Sequence, residues 1–166
     1  MGLTLHLGVI DQLYATPPSS NAHKATKGKK RRARRKRGKG RGIVSTGDVA
    51  GWLEERYGVM QHFFDAHSQD IADALASDVA GSLENLLAGG PGQLSLATAT
   101  GAIEAMFKKA ISEREFDRLG IPGVPTQAAM SGVNHRLKRP YVKRAPRPSF
   151  RDSGLYMASF RAWVEE

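Results

Sequence analysis

Hydrophobic and polar residues alternate at both ends of the chain. A hydrophobic residue stands at every second position from Leu3 to Val9, and a second alternating run extends from Tyr156 to Val164. A period of two residues is typical of a strand with one buried face. We therefore predict a strand at each end of the chain, and we expect the two strands to pair with each other in a small antiparallel sheet.

Between these ends the hydrophobic residues recur every three or four positions, which predicts helices. Ser45 or Thr46 can cap the first helix, because a hydroxyl at that position accepts a hydrogen bond from the first turn. Gly58 separates this helix from a longer second one, and residues 89–91, Gly-Gly-Pro, end the second. The apolar stripe of the second helix is predicted to consist of Met60, Phe63, Phe64, Ile71, Leu75, Val79, Leu83, Leu86 and Leu87.

Two further helices follow in the same pattern. The third is predicted to start at Thr100 and to end near Gly120, because prolines follow closely. The fourth is predicted to be capped by Thr126 and to run through Leu137. Four aromatic residues on the helical stripes are assigned to the core rather than to stacking on nucleic-acid bases: Trp52, Phe63, Phe64 and Phe107.

The pattern as a whole predicts an α+β fold that is mostly helical, with a small antiparallel sheet formed by the N- and C-terminal strands and a long basic loop. A chain of 166 residues is expected to form one domain, residues 1–166. The absence of cysteine excludes disulfides and thiolate metal sites. No apolar run approaches the ~20 residues needed to span a membrane, so no membrane partner is predicted.

The basic loop changes how the net charge is interpreted. The chain carries 25 Lys and Arg against 16 Asp and Glu, a net charge of +9. Twelve of the basic residues fall within residues 24–41, which contain no acid. We call this segment the basic tract; its members are Lys24, Lys27, Lys29, Lys30, Arg31, Arg32, Arg34, Arg35, Lys36, Arg37, Lys39 and Arg41. Without it the remaining chain has a net charge of −3.

Such a density of like charges predicts an extended, solvated loop over residues 15–42. The loop suits a polyanion, because each phosphate that it neutralises releases a counterion without regard to base sequence. Charge is segregated elsewhere too: residues 43–135 have a net charge of −7, whereas residues 136–151 contain seven basic residues and no acid. The prolines at 140, 146 and 148 predict that residues 138–151 form a basic, extended segment.

A search for catalytic or metal-binding groups finds no convincing set. His62 and His67 are five residues apart, whereas two metal ligands on one helical face are usually four apart. The glycine-rich stretch at residues 89–92 lacks the Gly-Lys-Ser/Thr end of a phosphate-binding loop. We therefore predict that the protein is not an enzyme and that it has no catalytic residues, cofactor or metal.

The region from Gly120 to Glu166 resembles the C-terminal part of the neck proteins of tailed bacteriophages, a group of tail-completion, tail-terminator and head–tail joining proteins. The resemblance lies in Arg147-Pro148-Ser149-Phe150, then Asp152-Ser153-Gly154-Leu155, and then Ser159. Members of this group often show a Pro-Phe pair, an Asp-Thr-Gly or similar turn, and a strand that opens with a hydrophobic residue and a serine. Ser153 replaces the more usual threonine.

The resemblance implies a structural virion protein, without enzyme activity, that forms a ring of six or twelve copies at the head–tail junction. Its expected partners are other neck, portal or tail proteins and, through the basic tract, packaged double-stranded DNA. It is expected in the host cytoplasm during assembly and in the virion afterwards. We predict that residues 138–150 run over a neighbouring subunit, with an oligomer interface of Arg139, Tyr141, Lys143, Arg144, Arg147, Phe150, Asp152 and Gly154.

Two other functional classes stay open. A nucleoid-type protein that binds DNA or RNA without sequence preference would use the basic tract as its main binding element and the helices for dimerisation. An enzyme of unknown type is the other. The basic tract contains no aromatic residue. Both as a neck protein and as a nucleoid-type protein it would therefore contact phosphates rather than stack on bases.

Overall fold

The computed structural model describes residues 2–14, 44–133 and 144–165. Within them the elements are β1 (Thr4–Val9), α1 (Thr46–Tyr57), α2 (Val59–Leu87), α3 (Ala97–Ser112), α4 (Gln127–Met130), α5 (Leu155–Ser159) and β2 (Phe160–Glu165). The predicted α+β, mostly helical fold is confirmed. The basic tract lies outside the described residues.

The two strands form an antiparallel sheet, as predicted. Their register runs from Thr4 opposite Glu165 to Val9 opposite Phe160. The predicted second strand begins too early, however, because Leu155–Ser159 is a short helix, α5. Gly154 adopts a left-handed conformation with φ of 82° and starts this helical turn, in which Ser159 Oγ donates a hydrogen bond to the carbonyl of Tyr156.

The core is built around Phe107 on α3. Its ring stacks on Phe160 of β2 at 3.8 Å between centroids, and it meets the edges of Phe63, Phe116 and Tyr156 at 5.1, 6.2 and 5.9 Å. These five aromatic side chains are all buried. Aromatic pairs at such distances stabilise the fold beyond the area that they bury. The cluster therefore joins α2, α3, α5, β2 and the turns after α3 in one core.

Polar contacts fix the start of α1. Ser45 caps the helix, because its hydroxyl accepts from the Asp48 N–H while the Asp48 carboxylate accepts from the Ser45 N–H. The hydroxyl of fully buried Thr46 donates to the carbonyl of Ile10 at 2.7 Å and accepts from the N–H of Gln12 at 2.8 Å. The predicted cap is thus confirmed, and Thr46 ties α1 to the chain that follows β1.

Two helix predictions are wrong at their ends. The third helix begins at Ala97 rather than Thr100, because the carboxylate of Asp78 accepts a hydrogen bond from the Ala99 N–H and so extends the first turn. It ends at Ser112, and turns continue from there to Gly120. The fourth helix is confined to Gln127–Met130, and Leu137 lies outside the described residues.

The two halves of α2 have different surroundings. Its first half packs into the core through Val59, Phe63 and Ile71, all buried. Near its end, Val79, Leu83, Leu86 and Leu87 are exposed, with Leu83 and Leu87 at 54% and 79%. We call residues 79–87 the α2 tip.

No helix within the described residues is long and apolar enough to cross a membrane.

The assignment of four helical aromatic residues to the core is half wrong. Phe63 and Phe107 are buried, but Trp52 and Phe64 are 57% and 42% exposed. Successive residues of a helix point about 100° apart, so Phe64 faces away from the core that Phe63 enters. The spacing of hydrophobic residues did not distinguish these two neighbours.

Candidate subunit-docking site

Four of the predicted interface residues line one pocket. Arg147, Phe150, Asp152 and Gly154 surround a cavity of about 350 Å³ between α1, α5 and the chain that precedes α5. Arg144 lies elsewhere, at a second cavity beside α4. The remaining predicted residues, Arg139, Tyr141 and Lys143, lie outside the described part of the chain, as do all twelve residues of the basic tract.

The other walls of this cavity are mainly apolar and aromatic. Val49, Leu53 and Tyr57 follow one another at intervals of four residues, which places them on one face of α1. Tyr14 and Tyr156 complete the wall. We call this cavity the tyrosine pocket, after Tyr14, Tyr57 and Tyr156.

Phe150 holds the wall of the pocket in an uncommon backbone conformation. Its φ is 63°, in the left-handed region. Bulky residues rarely adopt this region, which costs them about 1–2 kcal/mol. The ring of Phe150 packs against Tyr57 and Phe116, with centroids 5.4 and 5.7 Å away. These aromatic contacts offset the backbone strain, and they join the proline-containing segment to the core.

Arg147 shapes the pocket through contacts within its own chain. Its guanidinium lies 3.4 Å from the carboxylate of Asp152 and donates to the backbone carbonyls of Arg151 and Val133. Its backbone N–H donates to the carbonyl of Ala129 at 3.0 Å, beside α4. The Nε atom of Arg147 is buried and makes no hydrogen bond to the described residues. Arg147 therefore braces the segment before α5 while leaving one donor unused.

Tyr156 contributes a second unused hydrogen-bonding group. Its side chain is buried, and its hydroxyl makes no hydrogen bond to the described residues. Burial raises the pKa of this hydroxyl well above its usual range, and the neighbouring Glu54 and Tyr14 raise it further. The hydroxyl thus remains protonated at any physiological pH and can donate to a carbonyl oxygen.

Both ends of the segment that contains the basic tract lie beside the tyrosine pocket. The N–H of Tyr14 donates to the carbonyl of Val44 at 3.0 Å, and the N–H of Thr46 donates to the carbonyl of Gln12 at 2.8 Å. The chain therefore leaves the described structure at Tyr14 and re-enters it at Val44, next to a pocket wall. Any surface that occupies the pocket also comes close to the attachment points of twelve positive charges.

Of the two histidines considered as metal ligands, His67 contacts two carboxylates instead. His67 lies with Nε2 2.9 Å from the carboxylate of Glu115 and Nδ1 3.4 Å from that of Asp70, and so it links α2 to the turns after α3. Residues 2–14, 44–133 and 144–165 contain no group of three or more His, Cys, Asp or Glu side chains placed to hold a metal ion.

Comparison of the chain with models of known protein families, with curated proteins and with solved structures gives no match.

The interface prediction did not include the three tyrosines of the pocket. The spacing of Val49, Leu53 and Tyr57 was a signal that one face of α1 is apolar, but it does not show what the face meets. Tyr14 and Tyr156 lie near opposite ends of the sequence and come together only because β1 pairs with β2. The pocket is thus a product of tertiary structure, and its chemistry suits an apolar group that is flanked by hydrogen-bond acceptors.

Proposed function

We propose that this protein is a structural subunit of the head–tail junction of a tailed bacteriophage, where it forms a ring and contacts DNA or neighbouring neck proteins through its basic tract. The observation that carries the proposal is the position of the tyrosine pocket. The pocket gathers four residues of the segment that resembles neck proteins, and it adjoins both attachment points of the basic tract. A candidate docking site thus adjoins the two points at which the segment with the basic tract joins the described structure.

A ring makes use of both features. Each subunit docks on the next, and the basic tracts of all copies together form a positive collar. Contacts to phosphates carry no sequence preference and let DNA slide, which packaging and ejection require. The same charges also suit acidic surfaces of neighbouring neck proteins.

The direct test is mass spectrometry of purified virions, combined with rotationally averaged images of the virion neck. The protein is expected in stoichiometric amounts at the neck. Its absence from mature particles would refute the structural role and favour the nucleoid-type alternative, which the basic tract also supports and which predicts strong binding to nucleic acid by a small free oligomer.

The role of the tract is tested separately, by replacing its twelve Lys and Arg with Ser and Gln. The replacement is expected to abolish DNA binding and to leave self-association unchanged. If six to ten phosphates are engaged, binding by the natural chain falls ~10³ to 10⁵-fold between about 50 and 200 mM salt. Binding that is insensitive to salt would rule out a phosphate-driven contact.

A further inference from the structure

The apolar stripe of α2 continues beyond the part of the helix that packs against α3. Ile71 is buried and Leu75 is half-buried in the core. Val79, Leu83, Leu86 and Leu87 prolong the same face, because at about 100° per residue they lie within an arc of about 100° that adjoins Leu75. A stripe of this width is typical of a helix that packs against another element, but at the tip it faces outward.

The exposure of the tip has a clear structural cause. The first turn of α3 is fixed beside Asp78 by the hydrogen bond from Ala99 N–H to the Asp78 carboxylate, at 2.7 Å. Residues 79–87 therefore extend beyond the start of α3, by about 13 Å of helix. The returning chain contacts the tip at Ser82 Oγ, which accepts from Ser95 N–H, and near Leu86, which lies beside Gly92. Among residues 2–14, 44–133 and 144–165, these contacts leave the leucines of the tip exposed.

The tip and the tyrosine pocket lie at opposite ends of α2. Tyr57 in the pocket wall precedes α2 directly, whereas Val79 begins the tip in the second half of the same continuous helix. The rise of an α-helix places Val59, the first residue of α2, and Val79 about 30 Å apart along the axis. A tip therefore cannot reach the pocket of its own copy. Two different surfaces at opposite ends of one subunit are what a head-to-tail interface requires, and head-to-tail contacts generate rings when the rotation closes.

The two surfaces are complementary in charge. Residues 57–107, which include all of α2, contain six acidic residues and no Lys or Arg. At the pocket, Arg147 and the adjacent Arg151 stand against one acid, Asp152. The C-terminal end of a helix also carries the negative end of its dipole. A helix with a net negative charge is thus matched by a pocket rim where two arginines face one acid.

The surfaces are complementary in shape as well. The cavity is mainly apolar, with a volume of about 350 Å³. A pocket of this size can accommodate the branched end of a leucine side chain.

From these observations we infer that the α2 tip of one subunit inserts into the tyrosine pocket of the next copy, with Leu83 and Leu87 as the inserted side chains. This docking rests on the proposed ring-forming function and specifies its interface. It also brings Tyr14 and Val44, between which the basic tract lies in the sequence, close to the acidic helix of the neighbour.

Sedimentation of the full-length chain tests this docking through two variants at exposed positions. Leu87→Asp changes the tip, and Ala128→Trp fills the pocket from its rim on α4. Each is expected to weaken self-association about thirtyfold or more, as the loss of a central interface anchor does. Leu119→Asp is a matched control at an exposed leucine outside both surfaces, and it should associate like the natural chain.

Mixing the two variants distinguishes a head-to-tail interface from a symmetric one. Each variant retains one intact surface, so the mixture is expected to form a one-to-one dimer and nothing larger. Full assembly by either variant, or a mixture that stays monomeric, would overturn the inference. A natural chain that is monomeric on its own would also overturn it, whereas the presence of the protein in the virion neck tests the proposed function independently.

Crosslinking gives a direct readout, because the natural chain contains no cysteine and every crosslink can be assigned. A Leu87→Cys, Ser153→Cys double variant places one thiol on the tip and one at the pocket. A short thiol crosslinker is expected to produce a ladder of covalent multimers whose highest band gives the number of copies in the ring. Each single variant should give no ladder, and a double variant that yields only monomers would contradict insertion.

Discussion

The two halves of α2 belong to one helix and share one apolar stripe, yet their surroundings differ completely. Phe63 and Ile71 in the first half are 1% and 2% exposed, whereas Leu83 and Leu87 in the tip are 54% and 79% exposed. The helix itself is continuous. The difference arises from α3, which begins beside Asp78 and packs against the first half of α2 but not against the tip. An apolar stripe thus predicts that one face of a helix is buried. The positions of the neighbouring elements determine whether that face is buried within the same chain.

The largest expected difference in stability is between a variant that removes an apolar side chain from the core and one that removes an apolar side chain from the tip. Phe107→Ala should lower the free energy of unfolding by about 3–5 kcal/mol, as is typical when a buried aromatic ring is removed. The Phe107 ring is fully buried and contacts four other aromatic side chains. Leu83→Ala should change the free energy by less than about 0.5 kcal/mol. Urea denaturation at low protein concentration measures both. Equal losses in the two variants would show that the tip is covered within the monomer.

Polar contacts at the start of α1 are expected to stabilise the fold in addition to packing. Thr46→Val should cost about 1 kcal/mol, because it removes two partly buried hydrogen bonds to the backbone. The backbone groups are the Gln12 N–H and the Ile10 carbonyl. Thr46→Ser keeps the hydroxyl and should lose less. If the two variants are equally stable, the hydroxyl contributes nothing and packing alone fixes α1.

The boundary between the two halves of α2 is tested at Asp78, whose carboxylate accepts from the Ala99 N–H. Asp78→Ala should cost about 1 kcal/mol, since it removes this hydrogen bond and a negative charge at the N-terminus of α3. Hydrogen exchange should become faster at the first amides of α3 and remain slow around Phe107. Asp78→Asn retains an acceptor and serves as the control; protection that is unchanged in Asp78→Ala would mean that α3 is fixed by packing alone.

The smallest expected effect concerns Asp11. The pKa of its carboxyl is held below its usual range by the Ser45 hydroxyl and then by the Gly47 N–H, which donates at 2.9 Å. Because the folded pKa is lowered, the stabilisation is present above the unfolded value of about 3.9 and is lost as the pH falls through the folded one. Asp11→Asn should therefore be slightly less stable than the natural chain at pH ~6, and the difference should vanish near pH ~2. A difference that persists in acid would assign the effect to packing.

Much of the local structure was predictable from the sequence. The alternation at the two ends predicted the strands and their pairing, and Ser45 and Gly58 marked the ends of α1 through their own backbone and side-chain chemistry. These features depend on residues close together in the chain. Leu155–Ser159 was mistaken for strand because Tyr156, Ala158 and Phe160 happen to alternate; Gly154, in a left-handed turn, starts a helix instead.

The candidate site was predictable only in part. The neck-like motif singled out Arg147, Phe150, Asp152 and Gly154, and these residues do meet at one pocket. The tyrosines that complete it come from three distant parts of the chain, and no local period connects them. The exposure of the leucines in the α2 tip was likewise unpredictable, because it depends on where α3 begins, which the sequence pattern placed too late.

The pairing of β1 with β2 affects the order in which the molecule can fold. The ribosome makes β1 before its partner strand, which begins at Phe160, so all the helices of the described structure are synthesised before the sheet can close. Contacts between such distant residues form late and slowly, whereas α1, α2 and α3 join residues that are near in sequence. Tyr14 and Tyr156 meet only when this last step is complete. A nascent chain that has not yet reached β2 would therefore lack a finished tyrosine pocket, so the proposed docking could begin only after β2 has been made.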